Sequence, residues 1–156
     1  MNASIDEAEI FFKSPDVYIK DTGTQKGRGV FARKNFNTGE VVEECPVVLF
    51  KAPFVPPDEM KRVIFSWLAL TKGNDGNTFA LALGCGSMYN HNNPSNMKYE
   101  ADVIHKTLKF IATREIAIHE ELTINYNALS GNTESSDDNW FDRMKEPLIK
   151  NDKQNS

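Results

Sequence analysis

The segment Gly84-Cys85-Gly86-Ser87-Met88-Tyr89-Asn90-His91-Asn92-Asn93-Pro94-Ser95-Asn96-Met97-Lys98-Tyr99 decides how the rest of the chain is read. Taken alone, a cluster of Asn, Ser, Pro and Gly between two apolar stretches is a turn, because these residues bond their own backbone or preset its angles. The lead-in Phe79-Ala80-Leu81-Ala82-Leu83 points elsewhere, since it starts the polar knot from the core rather than from a loop tip. A buried amide and imidazole need hydrogen-bond partners, and a ligand is one way to supply them.

Working outward, 156 residues make one domain with room for a core, and 40% hydrophobic with 26% charged residues describes a soluble globular chain. A formal net charge of -4 argues against direct nucleic-acid binding, which leaves a basic footprint, and fits a basic partner better. No segment has the length of a membrane span, and Met1 to Glu9 lacks the pattern of a secretory signal. Two cysteines, Cys45 and Cys85, are too few for a disulfide framework or a zinc cluster. Both are expected to be small buried residues of an intracellular protein, cytoplasmic or nuclear, unless the chain is a secreted effector acting inside a host.

Before the central segment, a loose arm over 1–14 has an apolar stretch at Ile10-Phe11-Phe12, and Val17-Tyr18-Ile19 reads as a strand closed by the turn Asp21-Thr22-Gly23-Thr24. Lys26-Gly27-Arg28-Gly29-Val30-Phe31-Ala32 runs two glycines into a strand. That is either a hairpin turn or a place where a ligand approaches the backbone closely. No helix pattern follows, so the dinucleotide fingerprint is absent. Phe36 to Glu40 is a further turn, Pro46 predicts a strand break or an edge, and Asp58 predicts the cap of a short helix. Met60, Val63, Ile64, Trp67 and Leu68 fit a helical stripe, yet 63–70 reads preferentially as a strand whose hairpin tip is Gly73-Asn74-Asp75-Gly76.

After the central segment, Met97 to Val103 alternates strictly and is the clearest strand in the chain. Thr113-Arg114-Glu115-Ile116-Ala117-Ile118-His119-Glu120-Glu121 loosely echoes Arg33-Lys34-Asn35-Phe36-Asn37-Thr38-Gly39-Glu40-Val41, placing His119 where Gly39 sits. Histidine tolerates positive φ, so His119 is expected to serve a turn, and His105 likewise. Glu121 to Tyr126 is a short closing strand, Asp137 or Asp138 caps a short helix carrying Trp140, Phe141 and Met144, and 150–156 has a disordered composition. The expected boundaries are an arm over 1–14, a domain over 15–128, a C-terminal segment over 129–149 and a tail over 150–156.

Three of these stretches, in order, resemble the motifs of SET-domain protein lysine methyltransferases: Lys26 to Ala32, then Tyr89-Asn90-His91 with Asn96 beyond, then Glu120-Glu121-Leu122-Thr123-Ile124-Asn125-Tyr126. The resemblance covers about Tyr18 to Tyr126 and is closest to the small single-domain type without zinc-binding pre-SET or post-SET cysteines. Proline falls one step early in Pro94-Ser95-Asn96, and His119 replaces the usual glycine. The resemblance implies a mostly β, β-clip-like fold of several short sheets with a knot-like crossing and a short C-terminal helix. It implies S-adenosylmethionine as cofactor, held at Gly27, Arg28, Gly29, Asn90 and His91 and covered by Trp140 or Phe141. It also implies a channel lined by Tyr89, Tyr99 and Ile124 for a lysine of a protein substrate, a histone-like tail among the candidates, with Tyr126 as the catalytic tyrosine and no metal.

The chemistry stands apart from the family name. Methyl transfer from a sulfonium to an amine is an in-line displacement, so positioning does most of the work. The amine must be neutral although lysine's ordinary pKa is about 10.4, which favours an apolar channel near a positive charge. A tyrosine hydroxyl, with an ordinary pKa of about 10, serves better as an oriented dipole than as a base. The alternative expectation is a non-catalytic SET-like module that binds a basic peptide; a structural β domain with coincidental motifs is the third.

Overall fold

The computed structural model describes residues 10–13, 15–51, 57–71, 78–136 and 138. Among the described residues, ten strands form two five-stranded sheets. The first has the order β1-β2-β3-β10-β7, from β1 (Ile10–Lys13), β2 (Val17–Asp21), β3 (Arg28–Ala32), β7 (Asn90–His91) and β10 (Glu121–Ile124). The second has the order β5-β6-β4-β9-β8, from β4 (Val41–Lys51), β5 (Ile64–Ser66), β6 (Thr78–Ala82), β8 (Met97–Asp102) and β9 (Thr107–Ala112). The mostly β expectation holds, and the alternation of Met97–Asp102 does mark a strand, with Met97 and Tyr99 buried against β9.

The echo between the two turns is structural. Phe36 and Ile116 exchange both backbone hydrogen bonds, each 2.9 Å. Gly39 N–H donates to Ala112 O at 2.7 Å, and His119 N–H donates to Ala32 O at 2.8 Å. In each turn a glutamate folds back on the backbone, Glu40 accepting from Asn37 N–H and Glu120 from Ala117 N–H, and each pairs with the cation six residues before it, Lys34 or Arg114. The two turns therefore grip one another around an approximate two-fold axis. Gly39 has φ +84° and His119 +72°, so histidine does occupy the left-handed position, and the Tyr18 hydroxyl lies 3.2 Å from its Nδ1. His105 serves a turn as well, bonding Asp102 at the β8–β9 hairpin.

Three local expectations are corrected. Pro46 breaks nothing: β4 runs straight through it and changes partner there, Val41–Pro46 pairing β9 and Val47–Lys51 pairing β6. The missing N–H falls where the ladder changes sides, which is why proline is tolerated. The stretch 63–70 is neither one strand nor one helix; Ile64–Ser66 pairs β6 and Trp67–Thr71 turns into the short helix α2. Its eight residues are too few for either period to dominate. Helix α1 (Asp58–Lys61) begins after Pro57 with no side-chain cap, and Asp58 instead pairs with Lys61 Nζ at 2.7 Å. The expected hairpin tip and C-terminal helix lie outside the described residues.

The core beneath the site is aromatic. Phe65 and Tyr99 meet edge to face at 5.1 Å, and Tyr89 packs on Phe110 at 4.8 Å. Cys45 and Cys85 are free and buried beside them. Such rings fix one another's orientation through their edge and face charges as well as by filling space.

Candidate active site

The central segment runs along the end of β10. β7 is parallel to it, Asn90 opposite Thr123 and His91 opposite Ile124. Asn96 then ties the loop to the same strand: its amide donates to Glu121 O at 2.8 Å and accepts from Thr123 N–H at 2.9 Å. Beyond Tyr126 the chain returns over the loop, where Ser95 N–H donates to Thr133 O and Tyr99 N–H to Gly131 O. The loop, which contains a cis Asn93–Pro94 bond, is thus held on two sides. This is the crossing that the sequence led us to expect.

Gly27 and Gly29 do different work. Gly27 closes the β2–β3 hairpin at φ +72° with open space where a side chain would stand. A Cβ on Gly29 would stand 2.6 Å from Glu121 Oε1 and 3.1 Å from Asn90 Nδ2. Thr22 Cγ2 would stand 2.9 Å away as well, so the space a side chain at 29 would need is held by Glu121, Thr22 and Asn90. Asn90 Nδ2 donates to Arg28 O and to Glu121 Oε1, both at 2.9 Å, so both amide hydrogens are engaged.

Two cavities meet beside Tyr126. One, of about 60 Å³, is lined by the expected Tyr89, Tyr99, Ile124 and Tyr126, together with Phe65 and Leu129. The other, of about 230 Å³, is lined by Lys26, Arg28, Met88, Asn90 and again Tyr126. Arg62 and Ser87 border both. Among the described residues, every charged one on the larger cavity's wall is a cation, in a chain whose net charge is -4.

The tyrosines differ in what they offer. Tyr126 donates its hydroxyl proton to Tyr89 O at 2.6 Å, and burial pushes its pKa up to about 12, opposed by the nearby Arg62 cation. Tyr89 turns its hydroxyl away, donating to Glu43 Oε1 at 2.8 Å, and burial followed by the Glu43 charge raises it strongly. Tyr99 donates to Ala128 O at 3.4 Å and is raised by burial as well. All three hydroxyls stay protonated at neutral pH.

His91 is buried, with Tyr126 N–H donating to its Nδ1 at 3.0 Å and Asp138 Oδ1 lying 2.6 Å from its Nε2. Lys26 Nζ donates to His91 O at 2.7 Å. Asn127 also reaches Asp138 through Nδ2 at 2.9 Å, while its Oδ1 is buried without a donor among the described residues. Trp140 and Phe141 lie outside the described residues.

Sequence reasoning missed Glu43, Arg62, Ser87, Glu121 and Asp138. Glu43 carried a readable signal, a carboxylate inside the apolar run Val41-Val42-Glu43-Glu44-Cys45, and it holds both Tyr89 and the Cys85 N–H. Arg62, beside Lys61, and Asp138, beside Asp137 and read only as a helix cap, carried no signal of a site, because charged residues in polar stretches are usually solvated.

The chain matches the family model described as SET domain over residues 27–127. It is 33% identical over 109 residues to the histone-lysine N-methyltransferase, H3 lysine-37 specific, of Schizosaccharomyces pombe, covering 69% of this chain and 71% of that protein. Among solved structures it resembles a Plasmodium falciparum protein assigned as a histone methyltransferase, with a TM-score of 0.56 and 22% identity over 73% of this chain and 95% of that one. CpSET8 from Cryptosporidium superposes with a TM-score of 0.52 at 19% identity, over 76% of this chain and 59% of that one. With the motif order, the strand arrangement and the family match in agreement, the chain belongs to the SET-domain family of protein lysine methyltransferases.

Proposed function

We propose that the larger cavity takes S-adenosylmethionine, that the smaller one takes the side chain of a substrate lysine, and that Tyr126 works where they join. The joint itself supports this reading: Tyr126, with Arg62 and Ser87, borders both spaces. Bound S-adenosylmethionine supplies an electrophilic methyl on a sulfonium, which an amine takes by in-line displacement while the bond pair stays on sulfur. The protein's part is to align the partners and keep the amine neutral.

The chain's residues suit both tasks. Because the Tyr126 proton is given to Tyr89 O, its oxygen is suited to act as an acceptor that orients an amine N–H. Arg62 at the joint and the apolar walls of Phe65, Ile124 and Leu129 both disfavour an ammonium, so an entering lysine releases its proton. With its N–H groups engaged, Asn90 has its carbonyl oxygen left for an amino-acid ammonium, and Arg28 and Lys26 suit a carboxylate. The buried acceptor of Asn127, one hydrogen bond from Asp138 and two from His91, suits an adenine amino group. Trp140 and Phe141 are the proposed cover.

The substrate we propose is a lysine in a basic protein such as a histone tail, which the S. pombe relative's activity supports and which would set the enzyme in an intracellular, nuclear context. Lysine-rich proteins incubated with enzyme and methyl-labelled cofactor should gain label, read by mass spectrometry. Tyr126→Phe should lower turnover at least about a hundredfold, the usual scale for one preorganised transition-state group, while keeping the melting temperature and cofactor affinity. Labelled product at the wild-type rate from that variant would remove Tyr126 from the mechanism.

A further inference from the structure

We propose that Asp138 is a positioning residue for Tyr126, acting through the His91 imidazole; this rests on the reading of Tyr126 given above. β10 ends at Ile124, so the Tyr126 N–H has no strand partner and takes His91 Nδ1 instead. A backbone N–H can only donate, so Nδ1 is the bare nitrogen and the ring proton sits on Nε2. That proton points at Asp138 Oδ1, 2.6 Å away, and the same oxygen receives the Asn127 amide at 2.9 Å. The carboxylate therefore reinforces the tautomer that the Tyr126 N–H selects and holds the rotation of a buried ring. The ring in turn fixes the backbone from which the tyrosine projects.

Asp138 differs from its partner in exposure: its side chain is 54% exposed while that of His91 is 6% exposed. It lies beyond the 131–135 stretch that bonds the central loop. The 131–135 stretch, bonded to the central loop, thus leads the chain to where Asp138 presents its carboxylate to the ring. Alignment of Tyr126 is coupled to that carboxylate through one ring.

The test uses the full chain with two variants, Asp138→Ala and Asp138→Asn. Asparagine keeps an acceptor oxygen for Nε2–H, so it should recover most of what alanine loses. Asp138→Ala should lower kcat about tenfold, the scale of a small misplacement of a reacting group, with peptide KM close to wild type. Nitrogen-15 spectra of the three histidines should show the Nε2–H form of His91 in the wild type and in Asp138→Asn, and a mixture in Asp138→Ala. An unchanged His91 spectrum in Asp138→Ala, or a wild-type kcat, would overturn the proposal. The spectrum needs no turnover, so it separates failure of this link from failure of the Tyr126 assignment, which the Tyr126→Phe rate reads by itself.

Discussion

The Tyr126 oxygen and the Ile124 side chain, two residues apart, act on the same small space. Ile124 lines the 60 Å³ cavity with Tyr99 and carries no hydroxyl, so on its side nothing polar competes for the room around an amine. An amine that already bears a methyl should still fit, and the wild type is expected to add two or three methyl groups. Ile124→Tyr would bring a ring and a hydroxyl into that space and should shift products toward monomethyl-lysine. Peptide mass spectra at long times with excess cofactor check this, and a wild type that stops at one methyl would refute it. At this scale Asn90, His91 and Tyr126 were legible because motif order singles them out. Glu121 and Asp138 were not, because their roles come from residues that meet only after folding: Glu121 reaches Asn90, and Asp138 reaches His91, across long stretches of chain.

At the scale of elements, the stretch after Tyr126 is secured by a glycine. Gly131 has φ +88°, and a Cβ there would stand 2.0 Å from the Tyr99 backbone oxygen. Gly131→Ala combines left-handed strain of about 1–3 kcal/mol with a backbone collision that only displacement relieves. We expect the 131–135 stretch to lift from the central loop. Amide exchange at Ser95 and Tyr99, whose N–H groups bond Thr133 and Gly131, should accelerate in the variant, and unchanged protection there would refute it. Element pairing was only partly legible. Alternation in Met97–Asp102 reveals which face is buried, and the repeated turn revealed itself by its residues. Yet a strand's sequence does not name its neighbour, so the partner change at Pro46 and the matching one in β10, from β3 to β7 after Leu122, appeared only in the structure.

For the molecule as a whole, the buried hydroxyls and thiols set an alkaline limit. Burial raises Tyr89, Tyr99, Tyr126 and Cys45, the tyrosine at 126 to about 12, and lifts Cys85 to about 11. The folded state therefore keeps protons that the unfolded chain releases above about pH 8.5 for thiols and about 10 for tyrosines. Stability must fall as pH rises through that window, by about 3 kcal/mol for Tyr126 alone once pH passes its folded value. Urea midpoints measured from pH 8 to 11 should drop, beginning with the thiols and steepening near 10. A flat profile would mean these groups are far better hydrated than their burial indicates.

The mutual grip of the two turns also bears on how the chain is made. Phe36 waits for Ile116, β3 waits for β10, and the first half of β4 waits for β9. During synthesis from the N-terminus these partners leave the ribosome long after the strands they complete. Until then the nascent chain displays open strand edges, the state most prone to pair with a neighbouring copy. A ribosome that stalls before Glu121 should consequently yield a product that needs chaperone capture, not a smaller working enzyme.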